Sequence, residues 1–306
     1  MKHGLDTVPP CERALTFPDR QSAAQWCQRH RPHFAAAIAL ACGQPGNPAA
    51  WILPTQLMQF YSQYSHWHDF LESHTAGLRV ARELGDALAQ SRLHIGLGIA
   101  YYKLGRLPEA LEANREALAL AEAGGNPPWA NTALANYAST LYAVERYDEA
   151  IAAFEKSMAD DALADKPGLL AARLNNLGMV YHTLKRYSEA ADRYRQALEL
   201  ARAARLPFVE AAVLDGIGQT RHALGEHGQA VAAFERAIDL RTQLGDQEGL
   251  AATLDRLGDV LAADGRQEQA RAAWRKALAA VSGLEDPVAQ AVRAKSEGLD
   301  PDRHLT

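Results

Sequence analysis

Cysteine is scarce in this 306-residue chain: there are only Cys11, Cys27 and Cys42, with no CxxC pair among them. An odd number bunched near one end does not make a disulfide framework, so a reducing compartment, the cytoplasm, is expected. Long apolar runs are missing as well. The most apolar stretch, residues 34–42, is about half of what a membrane-spanning helix needs, and the opening MKHGLDTVPP lacks the hydrophobic run of a signal peptide. No membrane contact is expected. There is no basic excess either. A net charge of −5 argues against a surface dedicated to nucleic acid, which needs clustered basic residues. Strand-forming runs are few, and abundant alanine and leucine point to an all-α protein.

What the chain has instead is self-similarity. Gly98, Ala138, Gly178, Gly218 and Gly258 recur at one constant step, and so do Ala110, Ala150, Ala190, Ala230 and Ala270. Leu118, Met158, Leu198, Ile238 and Leu278 keep the same step. A fixed period of this length signals a solenoid, each unit of which buries its apolar face only by stacking on its neighbours. Each repeat reads as two helices around a short turn, which makes them antiparallel neighbours. The turns are centred on Ser65, Gly105, Glu145, Lys185, Gly225 and Gly265. Between repeats, Gly and Pro punctuate the pattern at residues 84–86, 124–128, 165–167, 205–207 and 244–246. Small residues at the Gly98 and Ala110 slots are expected where two backbones approach closely. Phe154, Tyr194, Phe234 and Trp274 are expected to be core, because they share one helical stripe with the small slots.

In chain order, residues 1–19 read as an extended lead-in. Residues 20–48 read as an N-terminal helical cap, a short helix interrupted at Pro32 and a second one from there to Cys42. Residues 49–280 hold six helix pairs, the first degenerate. Residues 281–306 hold a closing helix, N-capped by Asp286, and a tail.

The pattern Leu177-Gly178, Tyr181, Ala190, Tyr194 and Ala197 resembles the tetratricopeptide repeat (TPR) over residues 50–280, with a period of 40 in place of the usual ~34. The resemblance implies a right-handed superhelical solenoid whose first helices line a concave groove. Phe17-Pro18-Asp19-Arg20, Trp26, Arg31-Pro32, Trp67 and Leu84-Gly85-Asp86 are similar to the region before the repeats in bacterial NB-ARC/STAND-type regulators. That resemblance implies the sensor arm of a signal-transduction ATPase in transcriptional control. The chain itself contains no P-loop and no helix-turn-helix.

The same resemblance places the groove on the first helices, at slots occupied by Tyr102, Asn136, Ser139, Tyr142, Asn175, Asn176, Met179, His182, Asp215, Gln219, His222, Asp255 and Asp259. Asparagine is a poor helix-interior residue. Asn136, Asn175 and Asn176 therefore bond either a bound peptide backbone, as in similar repeats, or neighbouring repeats and water; both readings stand. The aspartates towards the C-terminal end suit a ligand with a basic end, unless Arg221 and Arg256 neutralise them internally. His66, His68 and His74 lack a convincing full zinc set, and Gly96-x-Gly98 and Gly216-x-Gly218 follow no strand and make no nucleotide loop. The expectation is a non-catalytic module with no metal and no cofactor, binding a protein or peptide segment or a small-molecule signal. A free-standing adaptor is the first alternative. An enzyme using His182 and His222 as acid and base is the second.

Overall fold

The computed structural model describes residues 15–159 and 166–280. Among them every regular element is helical: α1 (Arg20–Cys42), α2 (Ala49–Gln63), α3 (Trp67–Glu83), α4 (Ala87–Lys103), α5 (Leu107–Ala123), α6 (Pro127–Ala143), α7 (Tyr147–Met158), α8 (Pro167–Thr183), α9 (Tyr187–Ala203), α10 (Pro207–Ala223), α11 (His227–Leu244), α12 (Gln247–Ala263) and α13 (Gln267–Ala280). The chain divides into two compact units at residues 159 and 160. In the first, α2 folds back on α3, α4 on α5 and α6 on α7; in the second, α8 packs on α9, α10 on α11 and α12 on α13. Within each unit successive first helices also touch, α2 with α4 and α4 with α6, α8 with α10 and α10 with α12. Each unit is thus a solenoid stack. The closing helix expected beyond residue 280 and the lead-in before residue 15 lie outside the described residues. No described helix is long and apolar enough to cross a membrane.

Pro32 does not break the chain into two helices: α1 runs through it without interruption. Proline removes one helical N–H and crowds the carbonyl four residues back, but Pro32 is exposed, so its ring meets no packed neighbour and the helix continues past it.

The turns explain why the period is so regular. Ser65, Gly105, Glu145, Lys185, Gly225 and Gly265 all take positive φ, between 54° and 76°. After them, Arg106, Arg146, Arg186, Glu226 and Arg266 donate their N–H to the carbonyls of Tyr101, Leu141, Tyr181, Arg221 and Leu261 at 2.8–2.9 Å. This is the six-to-one closure that satisfies the carbonyls at a helix end. The left-handed conformation costs a side-chain-bearing residue about 1–2 kcal/mol. Lys185→Gly and Glu145→Gly should therefore each stabilise the fold by about 0.5–1 kcal/mol after the entropy that glycine loses on folding. Urea melts of the single variants test this; a lower midpoint would contradict it.

The small-residue slot works differently from the close backbone approach expected. The space beside each glycine is filled by a side chain of the second helix in the same pair. Asn114 lies against Gly98, Tyr194 against Gly178, Phe234 against Gly218 and Trp274 against Gly258. The Tyr194 ring is wedged between two first helices, because a Cβ on Gly178 would stand 2.7 Å from it and one on Gly216 2.6 Å. These aromatics are almost fully buried, as are the alanines of the second slot. A true backbone crossing occurs elsewhere, at Gly77 of α3. A Cβ there would meet the carbonyl of Ala50 at 2.8 Å, the carbonyl that Pro54 in α2 deprives of its helical donor.

Candidate binding site

A stacked repeat dictates apolar or small residues at its interior slots, so polar residues there need a reason. Several such departures gather in the second unit. Arg241 stands where other repeats bury Ala81, Ala121 and Ala201, and Asp215 stands in a slot that turns from Ile95 and Ala135 in the first unit to Asn175, Asp215 and Asp255 in the second. Thr253 shares its slot with Leu93, Ala133, Arg173 and Val213, and Arg256 shares its slot with Gly96, Asn136, Asn176 and Gly216. Gly249 occurs where Ala89, Trp129, Leu169 and Val209 carry side chains. Four of the five, all but Thr253, line one cavity of ≈ 440 Å³ among α8, α10 and α12 and the end of α11. Asn175, Met179, Gln219, Asp246 and Glu248 line it too.

At its base Asp215, 5% exposed, accepts hydrogen bonds from Thr253 Oγ1 at 2.7 Å, Arg256 Nη1 at 2.8 Å and Gln219 Nε2 at 2.9 Å. The aspartate is thereby neutralised from within, by Arg256; Arg221 pairs with Glu226 instead. Asp215 is not the open acid that a basic ligand end would need. On the cavity's other side Asp246 caps α12, accepting from the Gly249 N–H at 3.0 Å, and its other oxygen meets Arg241 Nη1 at 3.3 Å. The guanidinium occupies the place where a Cβ on Gly249 would stand, so glycine in the first turn of α12 is what admits arginine in an alanine slot. Two buried atoms on the cavity's residues have no partner: Arg241 Nε, a donor, and Asn175 Oδ1, an acceptor.

Of the residues expected to form the groove, Asn175, Met179, Asp215 and Gln219 thus share one cavity. Asn176 accepts from Asn175 Nδ2 at 3.4 Å. His182 Nδ1 lies 3.0 Å from Thr220 Oγ1, and His222 Nδ1 lies 3.2 Å from His227 Nδ1. Each histidine is engaged with its own neighbours rather than with the other. Burial lowers the pKa of both, and for His222 the adjacent His227 lowers it further against the pull of Asp259. Asp255 and Asp259 are half-buried on α12, outside the cavity lining.

In the first unit Tyr102 is half-buried, and burial, then Tyr142, raises its hydroxyl pKa. Tyr142 packs on Tyr147, with ring centroids 5.8 Å apart. Ser139 bonds back to the Ala135 carbonyl. Asn136 Nδ2 is buried without a partner. Nearby, Asn114 Nδ2 donates to Thr140 Oγ1 at 3.2 Å, and its own oxygen is unmatched.

Two interior histidines make this unit acid-sensitive. His74 fills the slot that holds Phe154 and Phe234 elsewhere, with Nδ1 on the Phe70 carbonyl at 3.0 Å and Nε2 unpartnered. Burial pushes its pKa down to about 3 and that of His94 down to about 4. Both folded values lie below the unfolded one, so the unfolded chain binds more protons. Stability is complete above pH ~6.5 and falls by about 1.4 kcal/mol per pH unit for each histidine as the pH drops towards 4. His74→Phe should remove roughly half of that slope. Urea melts at pH 7.5, 6 and 5 measure it, and parallel pH profiles for variant and parent would refute the assignment.

Sequence reasoning missed Arg241, Asp246, Glu248, Gly249 and Thr253, because it looked only along the groove slots of the first helices. The signal was present in the comparison of repeats: arginine in an alanine column and glycine in a column of side chains.

Known proteins share this architecture. Tetratricopeptide repeat models match residues 129–203 and 209–282, and a second one residues 95–123, together more than half of the chain. Among solved structures, BtubC (BKLC) from P. vanneervenii is similar at 23% identity and a TM-score of 0.57, over 77% of this chain and 94% of that one. A Signal Transduction ATPase with Numerous Domains with a tetratricopeptide repeat sensor, PH0952 from Pyrococcus horikoshii, aligns at 16% identity and a TM-score of 0.67. The alignment covers 92% of this chain and 43% of that one. A Rap protein complexed with competence and sporulation factor aligns at 11% identity and a TM-score of 0.63, over 83% and 75% of the two chains. No curated protein sequence matches. The tetratricopeptide fold is characteristically a non-catalytic scaffold for protein–protein interaction. From the positive-φ turns to the paired glycine and aromatic slots, the chain belongs to the tetratricopeptide repeat family.

Proposed function

We propose that the second unit holds an extended peptide or protein segment against α8, α10 and α12, and that the chain is a non-catalytic sensor arm of a signal-transduction ATPase regulator. The observation that carries the binding site is the gathering of slot-breaking polar residues around one cavity. A repeat that needed only to stack would keep alanine at 241, and the run Asn175, Asp215 and Asp255 replaces the apolar Ile95 and Ala135 of the first unit. Asn175 and Gln219 present amides to a peptide backbone, Met179 an exposed apolar surface, and Asn176, His182, His222, Asp255 and Asp259 extend the contact along the same helices. Tyr102, Asn136, Ser139 and Tyr142 are the corresponding contacts in the first unit. The sensor role is supported by the likeness to the repeat-bearing STAND protein, and a soluble signal by the Rap complex.

Peptides selected on the immobilised chain should bind wild type and lose at least about tenfold in affinity with Asn175→Ala plus Gln219→Ala, since each amide contributes about 0.5–1.5 kcal/mol. Arg195→Ala, on the exposed face of α9, should leave affinity unchanged. Equal affinity for wild type and the double variant would remove the site from these helices. Joining the chain to an upstream ATPase and finding no ligand response would remove the sensor role.

A further inference from the structure

A separate hollow of ≈ 520 Å³ lies in the first unit, between α1 and α3, with Tyr61 of α2 in its lining. Small-molecule sites measure ~300–1,000 Å³. The space exists because side chains on both walls are short. At the repeat step, Ala35 of α1 stands where later second helices carry Thr75, Arg115, Glu155, Arg195 and Glu235. Ala76 of α3 stands where they carry Glu116, Lys156, Gln196, Arg236 and Lys276. A face that met only water would keep such long polar side chains. Here methyl groups replace them, and Pro32, Ile38 and Ala39 continue the apolar wall.

The hollow has a polar end and an apolar end. α1 and α3 run side by side in one direction, with Gln28 Oε1 3.2 Å from His66 Nε2 and Arg31 Nε donating to Asp69 Oδ2 at 2.5 Å. In both helices the polar lining residues come first and the alanines after them. The polar end is acidic. It sets two carboxylates, Asp69 and Glu72, against one guanidinium, Arg31, which is already spent on Asp69. Tyr61, 2% exposed, adds a hydroxyl that stays protonated, because burial and then Asp69 push its pKa up to about 12. Ser73 has already given its proton to the Phe70 carbonyl. One excess negative charge therefore stands beside apolar walls, where it draws a cation more strongly than it would in open water.

We infer that this hollow binds a small organic cation, a protonated primary amine on a short apolar body, with the ammonium at Asp69 and Glu72 and the body against Ala35, Ala39 and Ala76. The site shares no residue with the peptide site of the second unit, so either stands without the other.

The test titrates the full chain, labelled at its alanine methyl groups, with phenethylamine, 2-phenylethanol and 3-phenylpropanoate, followed by nuclear magnetic resonance. Phenethylamine should shift the methyl signals of Ala35, Ala39 and Ala76. It should bind about tenfold more tightly than the alcohol at low ionic strength, the worth of one charge-assisted contact, and the margin should shrink with added salt. The carboxylate should bind worst. Glu72→Gln should cut the preference for the amine by about threefold, and Glu83→Gln, on the same helix outside the lining, should leave it intact. Ala76→Lys, which installs what Lys156 and Lys276 carry, should abolish binding with the thermal melt unchanged. Equal binding of amine and alcohol, binding that survives Ala76→Lys, or no shift at these methyl groups overturns the inference. A dimer that Ala76→Lys dissociates would assign the hollow to a second copy of the chain and also overturn it.

Discussion

Gly178→Leu should cost about 3 kcal/mol or more and melt the second unit first. The Tyr194 ring lies so close to the Gly178 Cα that even a methyl group would sit 2.7 Å from it, and Gly216 of the next first helix closes the other face at 2.6 Å. The ring has nowhere to go. Overpacking a tight interior costs about 1–3 kcal/mol where neighbours can shift, and here the obstacle is a ring clamped from both sides. Tyr194→Ala should cost a similar about 3–5 kcal/mol for the opposite reason, the cavity it leaves. The two losses should not add. Gly178→Ala combined with Tyr194→Leu should recover at least about 1 kcal/mol of the summed single losses, the coupling expected of residues in contact. Guanidinium melts followed at Trp274, the one tryptophan of the second unit, report this. Strict additivity would mean that the glycine is not there for the ring.

Asp215→Ala should also be damaging, at about 1–3 kcal/mol, because it leaves the buried Thr253 hydroxyl without its acceptor, whereas Arg256, 39% exposed, keeps access to water. Breaking a buried pair is costly, whereas replacing the whole group by apolar residues is often neutral or stabilising. Asp215→Ile, Thr253→Val and Arg256→Asn together install what other repeats carry as Ile95, Val213 and Asn176. That triple variant should melt within about 1 kcal/mol of wild type while losing the peptides selected on the parent chain. Such a result separates ligand binding from folding. A triple variant as unstable as Asp215→Ala would instead make the polar group a structural requirement of the stack.

The fold was legible because its determinants repeat. A glycine or alanine at one constant step, an aromatic partner at a fixed offset such as Tyr194 for Gly178, and a turn residue midway between them announce helix pairs without any long-range information. The mechanism of the small slot was not legible, because sequence spacing cannot tell a backbone crossing from a ring pressed on a glycine. Pro32 misled for a related reason: its cost depends on what its ring meets in the folded chain. The site was only half legible. Asn175, Met179, Asp215 and Gln219 stand at the slots that the resemblance to tetratricopeptide repeats picks out, but Arg241 comes from the end of a second helix, and only folding brings it beside them. For Asp215 the sequence left two readings open, a basic ligand end or neutralisation by Arg221 and Arg256, and folding selects Arg256, on the next first helix.

The most direct test of the account is hydrogen–deuterium exchange of the chain with and without a peptide selected on it. The account predicts slowed exchange in α8, α10 and α12, strongest in the first turn of α12 around Gly249, with α9 and α13 little changed. Protection confined to α1–α7, or to the second helices α9, α11 and α13, would place the ligand elsewhere and contradict it.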